Sequence, residues 1–397
     1  MQERLRKTRI ALAAALGFFA VGCDSAAWKR FAFESFFFDP GTLENPRPIE
    51  ARMAELAIPG VSIAVIYDGE IHWESAYGVK KLGTSDPVTP QTRFQAGSIS
   101  KFVTAVAAFR LAEQGVIDLE ADIEPSLVSW SIPSNPFTGL APVTGRRILT
   151  HTAGFSVDGF IGYQPTQPVP TLLQVLTATP PAFNDPIVVA QLPGSGFRYS
   201  GGGFTVLQQW LIDVTGKPFP ELLAEQVLSR AGMTRSGFDQ PLAASLEAEA
   251  ANAHVLPGLP TPYIGNVYPE LAAAGLWTTA SDLSRLALSL QRARAGAEGE
   301  VLSPASAREM LTPAFDGTFG ATGPGVFFDA ASSPRWFCHS GGNVGFTADL
   351  IVSLDGKYGV AVLVNDFFAG RPFIGEIVRN VSLIYQWEGW DPDAPGC

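Results

Sequence analysis

Gly60-Val61-Ser62-Ile63-Ala64-Val65-Ile66-Tyr67-Asp68-Gly69-Glu70-Ile71-His72-Trp73-Glu74-Ser75-Ala76-Tyr77 is the stretch on which the fold turns. Two runs rich in β-branched and aromatic residues are joined by Asp-Gly, a pair that readily takes the positive φ angles of a two-residue turn, so the stretch reads as an antiparallel hairpin. A similar unit recurs near the other end: Thr347 to Leu354, then Asp355-Gly356, then Tyr358 to Val364, preceded by the short strand Arg335-Trp336-Phe337-Cys338. A closing helical stretch runs from Pro372 to about Gln386, with apolar Phe373, Ile374, Ile377, Val381, Leu383 and Ile384 on its period. Between the two strand clusters, from about 100 to 330, helical patterns broken by Gly/Pro loops prevail. The expected class is α+β: one antiparallel sheet drawn from both chain ends and flanked by helices, with a mainly helical lobe inserted between its halves and a cleft between the lobes.

Composition narrows the function. The chain has 397 residues with 46% hydrophobic and 16% charged, which excludes a disordered chain; 40 glycines and 31 prolines exclude a mostly helical bundle. A net charge of -11 argues against nucleic acid as the main partner, because phosphate binding needs a basic surface. Three cysteines cannot build a disulfide framework, and the four histidines (72, 151, 254 and 339) are too dispersed for a close metal site.

The charge is uneven. Arg4, Arg6, Lys7 and Arg9 against Glu3 precede an apolar run from Ile10 to Val21, too short to cross a bilayer but suited to the core of an export signal. Ala20-Val21-Gly22-Cys23 resembles a bacterial lipobox, although Leu is usual at the place of Ala20. The expected organisation is a signal peptide over 1–22, a tether over 23–46 whose aromatic run rests on the domain surface, a catalytic domain over 47–390 and a tail over 391–397. Export to a bacterial periplasm or envelope is expected, with a lipid anchor on Cys23 as the link to the membrane.

The chemistry-bearing residues begin with Gly97-Ser98-Ile99-Ser100-Lys101-Phe102-Val103. Ser98 and Lys101 are three apart and share one helix face. Desolvation lowers a lysine's pKa, which makes Lys101 a proton acceptor for the serine. A chance Ser-x-x-Lys is common, so context decides. Downstream follow Leu149-Thr150-His151-Thr152-Ala153-Gly154, then Arg198-Tyr199-Ser200-Gly201, then Trp277-Thr278-Thr279-Ala280-Ser281-Asp282, then His339-Ser340-Gly341-Gly342. In this order and spacing the set resembles the class C β-lactamase-related serine hydrolases, penicillin-binding-protein-like enzymes that include esterases and D-peptidases, over about residues 47 to 390.

The resemblance implies that Ser98 is the nucleophile of an acyl-enzyme, Lys101 its paired lysine, and Tyr199 the residue exchanging protons with serine and leaving group. It implies an oxyanion hole from the backbone N–H groups of Ser98 and Gly342, a place for His339 among the catalytic residues on the strand lining the cleft, substrate contacts at Ser340, Gly341 and Gly201, and neither metal nor cofactor. Two departures bear on substrate. Where relatives carry Tyr-x-Asn, position 201 is Gly, so the carboxamide that holds an amide is missing. Where penicillin-binding members carry Lys-Thr-Gly, His339 replaces the lysine, and a histidine with a reference pKa near 6.5 anchors a carboxylate poorly. Both favour an uncharged carboxylic ester over a β-lactam or D-peptide. The rival readings are a D-peptidase, D-aminopeptidase or β-lactamase of the same fold, and a non-catalytic envelope lipoprotein; the partner is a small ester or amide, and no protein partner is legible. His72, Arg198, Asp282 and the His151 turn read as structural, and His254 is unassigned. A Cys338–Cys397 disulfide is left open. No Gly-x-Ser-x-Gly elbow and no phosphate-binding glycine loop occur in the sequence.

Overall fold

The computed structural model describes residues 25–393 apart from 257, 318, 319, 330–332 and 334. Helices α1 (Ala26–Ser35) and α2 (Ile49–Leu56) precede the hairpin of β1 (Gly60–Tyr67) and β2 (Glu70–Gly78). Asp68 and Gly69 at its turn have φ of 53° and 82°, the left-handed pair that lets a two-residue connection follow the twist of the strands. Helices α3 (Ile99–Glu113), α4 (Gly201–Thr215), α5 (Leu271–Ala274) and α6 (Ala280–Arg294) lie in the inserted part. The chain then returns through β3 (Phe315–Gly317), β4 (Gly320–Gly323), β5 (Val326–Phe328), β6 (Trp336–Asn343), β7 (Phe346–Ser353) and β8 (Tyr358–Val364) to α7 (Gly370–Tyr385).

The eight strands form one sheet in the order β2-β1-β8-β7-β6-β5-β4-β3, with antiparallel pairing throughout. Val61 opposite Val364 and Tyr67 opposite Tyr358 join the two chain ends, as the twin hairpin signals imply. Alternate residues of β1 serve opposite faces. Ala64 and Ile66 join the core that includes α3, α4 and α6, while Val61, Ile63 and Val65 join a second core closed by α1 and α7. Burial on both faces is why β1 and β8 read as unbroken apolar runs. The sheet is wider than the sequence suggests: β3, β4 and β5 are only three or four residues long, too short to carry a pattern.

The described part of residues 23–46 packs on the domain through a helix and an extended segment. Helix α1 puts Ala32 and Phe33 into the outer core, with Phe33 5.4 Å from Trp73. Beyond it the backbone is extended: Phe37 bridges to Arg47, and the Asn380 side chain accepts from Phe38 N–H at 2.8 Å and donates to its carbonyl at 2.9 Å. The aromatic run shows no single period because it crosses from helix to extended chain. The signal peptide, Cys23 and Cys397 lie outside the described residues. Cys338 is disulfide-bonded.

Two histidines tie the chain ends together. The Tyr385 hydroxyl on α7 lies 2.6 Å from His72 Nδ1 and accepts from Trp73 Nε1 at 2.9 Å. Buried His254 donates from Nδ1 to the Asn365 carbonyl at 2.9 Å and accepts at Nε2 from Leu82 N–H at 3.1 Å, which assigns it a structural role.

Candidate active site

Helix α3 is apolar on every side, and twelve of its fifteen residues are buried. Such a helix belongs inside the domain, and it carries Lys101 in with it, leaving that side chain 1% exposed. Ser98, one turn earlier at the N-terminal boundary, is only half-buried. Lys101 Nζ donates to Ser98 Oγ at 3.0 Å and to the Ala273 carbonyl at 2.9 Å. It also lies 5.1 Å from the centre of the Tyr199 ring and 5.8 Å from that of Phe204. Among the described residues no carboxylate pairs with it. Nucleophile, amine and phenol thus meet at the edge of the buried helix.

The backbone around them is set by glycine. Gly97 has φ 50°, and a Cβ there would stand 2.6 Å from Gly342 N. A Cβ on Gly341 would stand 1.9 Å from the Ala96 carbonyl and 3.1 Å from Ser98 N. Only residues without side chains allow the turn before Ser98 and the end of β6 to approach so closely. The contact brings the N–H groups of Ser98 and Gly342 into one corner, and among the described residues β5 pairs with β6 only at Phe337 and Cys338, leaving that edge without a described strand partner from His339 onward. Gly342 and Ser340 remain accessible there. Gly341 does not: it is buried against Ala96, so its expected place among substrate contacts is corrected to one of fit.

His339 sits beside this group, buried. Its Nδ1 donates to the Ser340 carbonyl at 2.7 Å, the Phe327 ring lies 5.3 Å away, and its Nε2 has no partner among the described residues. Burial first, and the Lys101 charge second, push its pKa down to about 3. The ring is therefore neutral at pH 7.

His151 braces the loop that carries Tyr199. Its backbone is left-handed at φ 57°. Its carbonyl accepts from Arg198 N–H at 2.7 Å, its Nδ1 accepts from Ser200 N–H at 3.1 Å, and its ring lies 4.4 Å from the Tyr199 ring. Burial, then the Lys101 charge, hold its pKa well below the ordinary value. The only signal in the sequence was a histidine ahead of a Thr-Ala-Gly turn, which says nothing about Tyr199 forty-eight positions on. Arg198 and Asp282 are structural as expected: Arg198 Nε donates to the Phe155 carbonyl, and Asp282 accepts from Arg235 N–H and the Ser236 hydroxyl.

Gly201 is not at the cleft surface. It is buried at the start of α4, donates to the Asp158 carbonyl at 3.0 Å, and would place a Cβ 3.0 Å from that oxygen and 3.2 Å from the Phe160 ring. Its expected substrate contact is corrected: Gly201 packs against the loop carrying Asp158 and Phe160, where even a Cβ would be tight.

Residues 47–380 match the family described as Beta-lactamase. The chain is 33% identical over 109 residues to penicillin-binding protein 4 of Amycolatopsis lactamdurans, covering 28% of each chain. It is 27% identical over 192 residues to a D-aminopeptidase of Gluconobacter oxydans, covering 47% of this chain and 34% of that one. The matches therefore span only about a third of these curated relatives' own lengths. Among solved structures, the octameric penicillin-binding protein homologue from Pyrococcus abyssi superposes with a TM-score of 0.68 at 26% identity, covering 87% of this chain and 77% of that chain. The D-amino acid amidase from Ochrobactrum anthropi SV3 shares the fold, with a TM-score of 0.66 at 20% identity, covering 84% and 96%. With the sheet, the Ser98–Lys101 contact and the match over residues 47–380 in hand, the chain belongs to the β-lactamase family of serine hydrolases.

Proposed function

We propose that the protein is a carboxylesterase acting on uncharged esters through an acyl-enzyme on Ser98. In its amine form Lys101 takes the Ser98 hydroxyl proton along the 3.0 Å contact as Oγ attacks the ester carbonyl. The carbonyl oxygen becomes an anion held by the N–H groups of Ser98 and Gly342, donors whose value lies in charge that develops only at the transition state. The carbon–oxygen bond to the alcohol breaks, and Tyr199 delivers a proton to the departing oxygen. Water then attacks the acyl carbon, gives its proton back through the same groups, and frees the acid and Ser98.

The observation that carries the ester reading is His339. A neutral, buried imidazole tied to its own neighbour's carbonyl offers no positive charge to a substrate carboxylate. Gly201 adds to it, since it supplies no carboxamide for gripping an amide and packs tightly against the loop at Asp158. Turnover of 4-nitrophenyl acetate by the wild type, lost in Ser98→Ala, tests the proposal; equal turnover by both would end it.

A second reading, hydrolysis of small D-amino acid amides, draws on the D-aminopeptidase and the amidase among the relatives. Release of D-alanine from its amide, with no ester turnover, would favour it. We further propose export with lipidation of Cys23, supported by the basic and apolar leader; labelling by a fatty-acid analogue that persists in Cys23→Ala would exclude the anchor.

A further inference from the structure

We infer that Phe367 and Phe368 form an apolar subsite that takes a hydrocarbon group of the substrate where it passes Gly342. The inference rests on the serine-hydrolase chemistry above and names the kind of group that the site accepts. The Phe367 ring carbon Cε2 stands 3.7 Å from the position a Gly342 Cβ would occupy, ordinary van der Waals distance, so the ring faces the glycine whose N–H is assigned to the oxyanion. A substrate held at Ser98 and extending across Gly342 meets this ring.

Both aromatics belong to neither hydrophobic core. Phe367 is 43% and Phe368 58% exposed, and they pack edge to face at 5.3 Å. Two adjacent exposed rings in a chain with 46% hydrophobic residues to bury call for a reason.

Their backbone is anchored. Phe367 N–H donates to the His254 carbonyl at 3.3 Å. The Thr347 hydroxyl lies 2.8 Å from the Asp366 carbonyl and 3.4 Å from that of Phe367. The Asp366 carboxylate accepts from Ala369 and Gly370 N–H, fixing the start of α7. A wall whose backbone is already anchored needs less ordering when a substrate arrives, which favours binding. The nearest cation along the chain, Arg371 at the start of α7, is paired with Asp349.

The test compares wild type, Phe367→Ala and Phe367→Leu in the full chain, with two readouts. The first is the rate at which Ser98 is labelled by fluorophosphonates bearing a methyl or a decyl chain. The second is kcat/KM on 4-nitrophenyl acetate and octanoate and on ethyl and benzyl acetate. The expected result is a loss of about tenfold on the decyl probe, or on the longer member of one ester series, in Phe367→Ala. The methyl probe and the small esters should stay within about twofold, and Phe367→Leu should recover most of the loss. Uniform change across short and long compounds, or none, overturns the subsite. If the wild type cleaves no ester yet shows chain-length selectivity in labelling that depends on Phe367, the ester reading falls and the subsite stands. No labelling of the wild type overturns both.

Discussion

His151 holds Tyr199 from both flanks and across its face: the carbonyl binds the N–H of residue 198, Nδ1 binds the N–H of residue 200, and the ring lies 4.4 Å from the phenol ring between them. A proton-transferring phenol works only within hydrogen-bond reach of the atoms it serves. Tyr199 is half-buried and lies in a loop ahead of α4, so its direction depends on what grips that loop.

His151→Asn keeps a residue type that tolerates left-handed backbone but loses the ring contact. We expect kcat per active serine to fall about 10- to 100-fold, with KM within about threefold and a displaced pH profile. Titrating the active serines first removes any misfolded fraction from the comparison. An unchanged per-site kcat and pH profile would reduce His151 to a fold residue.

The adjacent glycines of β6 separate steric need from chemical need. A methyl at Gly341 would lie 1.9 Å from the Ala96 carbonyl, while at Gly342 it would meet only the Phe367 ring at 3.7 Å. Both variants keep every backbone N–H. Gly341→Ala should therefore push the strand from the Ser98 turn and cost about 10²- to 10³-fold in kcat, the usual effect of losing an oxyanion donor. Gly342→Ala should stay within about fivefold. Ester hydrolysis by the two side by side reads the difference, and equal losses would remove the oxyanion assignment.

Much of this arrangement is legible in the sequence because it rests on short-range pattern. The Asp68-Gly69 and Asp355-Gly356 turns announce their hairpins, and a lysine inside the apolar run after Ser98 announces a buried amine. Other parts depend on contacts between distant segments. Gly201 reads only as a missing carboxamide, and its tight packing against the loop at Asp158 has no local signal. His151 has no local signal for its grip on Tyr199. The segment after Ser25 resembles a tether because its buried face is matched by α7, more than 300 residues later.

That tight packing makes a prediction about substrate range. Installing the family's asparagine by Gly201→Asn should not create β-lactam or peptide turnover, because its Cβ already crowds the Asp158 carbonyl and Phe160. We expect a thermal midpoint several degrees lower, no nitrocefin hydrolysis, and weaker rather than stronger ester turnover. Nitrocefin cleavage by the single variant would show that the loop yields readily.

Titration of the buried groups supplies the last test, with two limbs of opposite sign. His339, with its pKa near 3, and His151, shifted in the same direction by burial, stay neutral where the unfolded chain begins to bind protons at about pH 6.5. Their contribution is whole above that pH. For His339 it drains as pH falls toward 3, by up to about 1.4 kcal/mol per pH unit, and His151 drains in the same direction. Glu270 behaves oppositely. Burial lifts its pKa to about 8, both carboxyl oxygens lack partners among the described residues, and the unfolded group ionises near pH 4.3. The folded protein keeps that proton, so stability drains as pH rises from about 4.3 to 8. Glu270→Gln, close in shape to the protonated acid, should raise the thermal midpoint over wild type by more at pH 8 than at pH 5. His339→Asn should flatten the acid limb. Activity should show no inflection near pH 6.5 from either histidine. Since the Glu270 carbonyl accepts from Ala273 and Ala274 N–H and the Ala273 carbonyl holds Lys101, a midpoint difference for Glu270→Gln that is constant with pH would mean the carboxyl is charged, and that the anchor of the catalytic lysine is built on an ion rather than a neutral acid.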